Sequence, residues 1–519
     1  MNKKNKTAVI QLARMGDIIQ TIPLLNLLNQ YSETILFIDT RFEEVAKSLS
    51  CADDIIAIDV RKLTTFANRE DISLSAKYEL IIKEIECLKA INCDQVINLN
   101  YSFLAALIAD NIDCRDRAGF YFRTGIRDIY SDPWMSYLIT STSARRYSRI
   151  NLSDIFKFAG INGFGYQENK KLESSVPQNN DIIRMNEGTA IAFQVGAGNS
   201  KRLWPEEYFS SLAKMIVNNL KSDVFLLGND AEKERASKIE SEVNSSRVFN
   251  LAGETNIHQL IETLKKCRLL ITGDTGTMHL AVHLKVPVLG IFWGSANCFE
   301  TGPYNEGHYV LQSFESCSPC MEFKECNERK CVRKLRPEVV FAATNNILGG
   351  LDNDKIKDVI PDGVSFYKST LDNYGVTYLP VIESEREHNN YFTESLRRFW
   401  FGLLSGCQGG KEENDVSERN IKLKCEHATI TDAAKSVSRL INARKNVILS
   451  LSNWHQEEFE VNDIDEKIKW FYRFHPLKHA LEFFFFNEAL IKKANRKEEL
   501  LMIHEKMESS LNCFGLIHC

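Results

Sequence analysis

No stretch of the chain approaches the roughly 18 uncharged apolar residues that a membrane-spanning helix needs. The greasiest patch, 481–486, is only six residues long and contains a glutamate. A transmembrane helix is therefore not expected. Nor is a secretory leader: the early lysines are followed by an apolar run, but Arg14, Gly16 and Asp17 interrupt it. A basic surplus is missing too. Lys and Arg total 64 against 69 Asp and Glu, a formal charge of −5, which argues against nucleic acid as the main partner. There is no low-complexity block and no internal repeat beyond an alternation of strand and helix patterns. Most of the 14 cysteines stand singly in apolar surroundings (Cys51, Cys87, Cys267), as in a reducing compartment, so a cytoplasmic location is expected.

What is present reads as a tandem α/β protein. At 519 residues the chain is too long for one hydrophobic core, and about three domains are expected. Short apolar runs suited to buried parallel strands recur at 7–12, 34–38, 55–58 and 95–99, with helical patterns between and after them. This predicts a doubly wound, Rossmann-like domain over residues 1–163. Pro23 is expected in the first turns of the first helix. Residues 164–188 are mostly polar and read as a linker. A second series of strands at 189–194, 224–227, 248–251, 269–272 and 287–292 predicts a second such domain over 164–350. Beyond 351 the character changes. Two short strands at 364–367 and 376–381 precede aromatic-rich helical patterns, so 351–519 is expected to be a mainly helical extension.

In doubly wound sheets ligands bind at the carboxyl ends of strands. Leu269–Thr272 stops at Gly273-Asp274-Thr275-Gly276, and helical apolar spacing follows (Met278, Leu280, Ala281, Leu284). Such a turn offers unpaired backbone N–H groups and a partial positive charge to an anion. It fits equally an ordinary βα turn with Asp274 as a cap. Gly16-Asp17 occupies the matching place in the first domain.

Several motifs occur in order: Gly16-Asp17, Gly196-Ala-Gly198 with Lys201-Arg-Leu-Trp-Pro205, Leu251-Ala-Gly253, Asp274-Thr-Gly-Thr-Met-His279 and Gly302-Pro-Tyr304. Together with the cysteines that follow, the set resembles the ADP-heptose glycosyl-acceptor transferases, the heptosyltransferases of glycosyltransferase family 9, over roughly residues 7–348. The resemblance implies a GT-B fold, two Rossmann-like domains facing a cleft, with donor in the second and acceptor toward the first. It implies inverting transfer of heptose or a similar sugar from an ADP-sugar to a lipopolysaccharide-core or protein hydroxyl, with no catalytic cofactor.

That reaction needs a base for the acceptor hydroxyl and positive charge for the departing diphosphate. By resemblance Asp17 is the base. Helix capping is its alternative, and a helix start is expected to hold its pKa down. Lys201 and Arg202 match the basic position before Trp-Pro, but Leu203 intervenes, so either residue could be the diphosphate cation. Gly196 and Gly198 are expected to let backbone approach the nucleotide. Gly228 and Glu232 match the place for base and ribose, with Asp230 as a competing carboxylate. Asp274 is expected on donor-sugar hydroxyls. Thr275, Gly276 and Thr277 would supply backbone donors, and His279 would contact phosphate or cap locally. Met278 reads as core.

Cys317-x2-Cys320-x5-Cys326-x4-Cys331 opens with a metal-knuckle spacing. Four thiolates suit a structural zinc or iron with no open position for catalysis, and the alternative is four reduced thiols in a loop. The extension's aromatic patches, 399–401 and 483–486, would pack on the enzyme, hold an acceptor protein or form a homo-oligomer. A peripheral membrane contact is a further expectation. A catalytically silent GT-B scaffold and a sugar-nucleotide epimerase remain alternatives, since fold alone does not fix function.

Overall fold

The computed structural model describes residues 5–122, 129–142, 148–161, 190–315, 317–320 and 328–382, together with Arg145, Cys326 and several positions between 393 and 404. By compactness the chain divides into one unit of Met1–Ser136 with Ile150–Glu385 and a second of Tyr137–Arg149 with Arg386–Cys519.

The first unit holds two sheets. β1 (Asn5–Ile10), β2 (Ser32–Asp39), β3 (Asp54–Ile58), β4 (Asn92–Asn98), β5 (Asp113–Phe122) and β6 (Ile129–Ser131) lie in the order β3-β2-β1-β4-β5-β6. All neighbours pair parallel except β6, which runs antiparallel to β5. β7 (Ala190–Gln194), β8 (Asp223–Leu227), β9 (Val248–Asn250), β10 (Cys267–Thr272), β11 (Val288–Phe292), β12 (Tyr309–Ser313), β13 (Val364–Asp372) and β14 (Gly375–Pro380) form the other, in the order β14-β13-β12-β11-β10-β7-β8-β9. Strands covered on both faces have no polar side, which is why β1 reads as a continuous apolar run: Ala8, Val9 and Ile10 are all fully buried. Each sheet reverses its winding at its centre, between β1 and β4 and between β7 and β10.

The helix Met15–Leu28 follows β1. It is apolar on nearly every side, with Ile18, Ile19, Ile22, Leu24, Leu25, Leu27 and Leu28 buried. Each such side chain contributes about 1.5–3 kcal/mol through its removal from water. Packing against the Leu152–Ile161 helix accounts for part of this; a side chain at Gly160 would collide with Leu24. Pro23 sits inside this helix, in its third turn rather than at its start, so the Ile19 carbonyl lacks its usual helical donor.

Three strands escaped the periodicity. β5 begins Asp-Cys-Arg-Asp-Arg and exposes most of that half, so it shows no apolar run. β6 spans only three residues, and β12 is a short strand next to a glycine-rich turn. The boundary expected at residue 350 needs correction. The strands anticipated at 364–367 and 376–381 exist, but β13 pairs antiparallel with β12 and extends the second sheet to Pro380. An uncovered β12 edge would leave backbone groups unpaired, and the β13–β14 hairpin satisfies them.

In the second unit Trp400 and Phe401 are buried, and the Trp400 ring lies 5.5 Å from that of Tyr137. This part of the aromatic patch is interior. Phe399, the linker 164–188, the patch 483–486 and the helical patterns from 430 onward lie outside the described residues. Among the described residues no helix is long and apolar enough to cross a membrane.

Candidate active site

The first half of the site grows from the carboxyl ends of β1 and β4. Asn100, just past β4, fastens the loop after β1: its Oδ1 accepts the Leu12 N–H at 2.6 Å, and its amide donates to Gln11 Oε1 at 2.6 Å. The loop ends at Arg14, the cap of the Met15–Leu28 helix. Asp17 is the third helical residue, and its Oδ2 accepts the Arg14 backbone N–H at 3.1 Å. The capping role is therefore real. The expected lowering of the Asp17 pKa is not. Loss of hydration is the largest influence and raises it, helped by the nearby Asp274 charge; the Arg14 N–H and guanidinium pull the other way and lose.

The second half grows from β7 and β10. Between β7 and the Glu206–Met215 helix runs a loop whose two ends are clamped by one residue. Arg235 donates through Nε to the Val195 carbonyl at 2.9 Å and through Nη2 to the Trp204 carbonyl. Arg329 donates to the Leu203 carbonyl at 2.8 Å, and Trp293 donates to the Lys201 carbonyl at 3.2 Å. Trp204 itself is buried and donates to the Leu335 carbonyl at 2.9 Å. Neither Arg235 nor Arg329 lies in a motif, so no local pattern points to this clamp.

The clamped loop aims Arg202. Its Nη1 pairs with Asp274 Oδ2 at 2.9 Å and its Nε donates to Ser295 Oγ at 3.0 Å. Lys201 receives an Asn199 side-chain cap on its backbone N–H at 2.9 Å. Arg202 is thereby tied to the Asp274 turn. Thr275 caps the Gly276–His283 helix, leaving the early backbone N–H groups of that helix at the site. Thr277 and Met278 are buried, Met278 completely.

The two halves meet at glycine. A Cβ on Gly276 would lie 3.3 Å from the Gly16 backbone nitrogen and would also strike Met15; a Cβ on Gly16 would lie 3.3 Å from His279 Cδ2. Two helix starts thus abut, one carrying Asp17, the other the Asp274 turn. His279 is buried here, and burial pushes its pKa down to about 4. It lies directly under Gly16 as a neutral imidazole.

Gly196 and Gly228 both lie against Glu232. The space a side chain on Gly196 would need is filled by the Glu232 carboxylate, and a Cβ on Gly228 would lie 2.9 Å from Glu232 Cβ. The glycines seat Glu232, whose Oε2 accepts the Asn229 N–H at 2.6 Å. Asp230 points away, paired with Lys233 at 3.4 Å and largely exposed. Gly198 is open, with only Arg14 Nη1 nearby, 3.6 Å from a Cβ position.

The cysteine loop lies behind the Arg202 arm. Cys320 N–H donates to the Gly294 carbonyl at 2.8 Å, next to Ser295. Among the described residues no three His, Cys, Asp or Glu side chains are already drawn into a metal-binding group. The four thiols are nonetheless neighbours. Burial first, then Cys317, Cys331 and Cys326, push Cys320 up to about 11.

The chain is similar to several known proteins. Residues 81–331 match the model of glycosyltransferase family 9 (heptosyltransferase). The lipooligosaccharide heptosyltransferase 2 of Campylobacter jejuni is 33% identical over 187 residues, 34% of this chain and 57% of that protein. The lipopolysaccharide heptosyltransferase 2 of Salmonella typhimurium is 32% identical over 137 residues, 25% and 38% of the two chains. The chain thus spans 57% and 38% of the lengths of these two relatives. Among solved structures, a family 9 glycosyl transferase from Veillonella parvula shares the fold, at a TM-score of 0.51 and 19% identity, covering 68% of this chain and 99% of that one.

Proposed function

From the match of residues 81–331 to glycosyltransferase family 9, we propose that the protein is an inverting transferase that moves heptose, or a closely similar sugar, from an ADP-sugar to a hydroxyl of a lipopolysaccharide core. One observation carries this reading: the contact of Gly16 with Gly276, which sets a desolvated carboxylate against an Arg-paired turn. Asp17 takes the acceptor proton. The acceptor oxygen bonds to the anomeric carbon as the bond to the diphosphate breaks, and the electron pair leaves with the nucleotide. Arg202 and the backbone N–H groups at Gly276 and Thr277 meet that developing charge. Asp274, held by Arg202, orients the donor sugar, and Glu232 holds the nucleoside end. The reaction works on the cytoplasmic side and uses no catalytic cofactor.

The test is to offer purified protein a panel of sugar nucleotides with core oligosaccharide or cell lysate, and to follow ADP release and mass gain. Mass on core sugar supports the reading. Mass on protein redirects the acceptor class, and donor turnover without any acceptor points to an epimerase or hydrolase.

Cys317, Cys320, Cys326 and Cys331 are proposed to hold one structural zinc or iron. The donor set fits: four cysteines, once deprotonated, suit a tetrahedral zinc or iron. Elemental analysis should find about one metal per chain, lost with Cys317→Ser and Cys320→Ser together. A metal-free, equally stable protein refutes it.

A further inference from the structure

The loop that carries Asp17 carries a cation that the motifs did not single out. Arg14 is exposed and precedes Asp17 by three residues. It is rooted in the first sheet's half of the site, yet its Nη1 stands 3.6 Å from a Cβ position on Gly198, in the clamped loop after β7. That is the single neighbour within 4 Å of the Gly198 Cβ position, so the glycine keeps open the space into which the guanidinium reaches. Arg202 is committed to Asp274 at 2.9 Å, whereas Arg14 forms no salt bridge with any described residue. Its charge is also felt at Asp17, where it favours the ionised form. One flexible cation thus lies between the proton acceptor and the loop expected to face the nucleotide.

We propose that Arg14 is a ligand of the donor diphosphate, supplied across the Gly16–Gly276 contact from the acceptor half of the site. The proposal rests on the transferase reading above. The chemistry suits a guanidinium, whose paired N–H groups match two phosphate oxygens in a way an ammonium cannot. The charges also balance along the reaction. Before transfer, Arg14 faces an ionised Asp17 and a diphosphate diester. As the proton moves to Asp17 and the electron pair to the departing phosphate oxygen, negative charge leaves the base and grows on ADP. Arg14 stands next to both and needs little movement to follow it. It would also make the site complete only while the two halves are apposed, which keeps a bound donor from water until the acceptor half is in place.

The side chain can be removed without the helix cap, because the cap bond to Asp17 comes from the Arg14 backbone N–H. The probe is ADP, with affinity measured by calorimetry for wild type, Arg14→Ala, Arg14→Gln and Arg14→Lys, alongside steady-state kinetics with the ADP-sugar. We expect Arg14→Ala and Arg14→Gln to weaken ADP at least tenfold and to lower kcat/KM by about 10²-fold, the size seen on removing one donor to a developing oxyanion. Arg14→Lys recovers part of the ADP affinity. The acid limb of kcat against pH should move upward in Arg14→Ala, because Asp17 loses a stabilising charge; a role in folding alone would not move it. ADP bound equally by wild type and all three variants overturns the proposal while leaving the transferase reading intact. A wild type that neither binds ADP nor turns over an ADP-sugar overturns both.

Discussion

Asp17 and Asp274 stand in matching places, each just beyond the carboxyl end of a central strand and at the start of a helix. Their surroundings separate them. Asp274 is ion-paired with Arg202 at 2.9 Å, with both side chains mostly buried. Asp17 has one backbone N–H on Oδ2, a dehydrated setting and a raised pKa. A carboxylate held by a cation is a fixed acceptor for hydroxyl groups. A dehydrated one, whose raised pKa outlasts the pull of Arg14, is a better base. Two like groups pushed apart by environment are the signature of divided labour in an active site. The support differs as well: the Asp274 side is braced by Arg235, Arg329 and Trp293, while the Asp17 loop depends mainly on Asn100.

The strongest way to break this contrast is Asp17→Asn. Transfer should fall by about 10²–10⁴-fold, the usual worth of a general base, with ADP affinity near that of wild type. Retained activity in steady-state assays would remove the base assignment. Next is Arg202→Ala, expected to cost about 2–4 kcal/mol in kcat/KM by losing charge at the leaving group and freeing Asp274. Lys201→Ala should cost clearly less, and equal small losses would place the diphosphate cation elsewhere. Gly276→Ala should destabilise the protein by about 1–3 kcal/mol in thermal unfolding, because its methyl meets Met15 and approaches the Gly16 nitrogen. An unchanged transition would mean that the two helix starts are not in firm contact. The smallest effect is on the pH profile. Asp17 works ionised, so activity rises with pH through its pKa, and that limb should lie above the ordinary value of 3.8. A limb at or below 3.8 would mean that burial does not outweigh the Arg14 contacts.

Much of the frame was legible in the residues. Buried parallel strands such as β1 and β10 announce themselves because both faces are apolar, and the glycine turns after them mark the ligand end. Strands with one exposed, charged half, such as β5, carry no such signal. The β13–β14 hairpin was visible as two strands but not as part of the second sheet, since pairing with β12 is a long-range event. In the site, Asp17 and the Arg202–Asp274 pair sit at two helix starts that touch through Gly16 and Gly276. There His279 is neutral through burial, and Gly196 lies against Glu232.

The sequence by itself determined the two α/β sheets, the order of the motifs and the residue types at the cleft, because periodicity and turn chemistry are local properties. Only the tertiary structure decided that Arg202 pairs with Asp274, that Arg14 reaches Gly198, and that the Asp17 pKa rises. Those depend on burial and on distances between residues tens to hundreds of positions apart, where dehydration outweighs the local pull of a helix start.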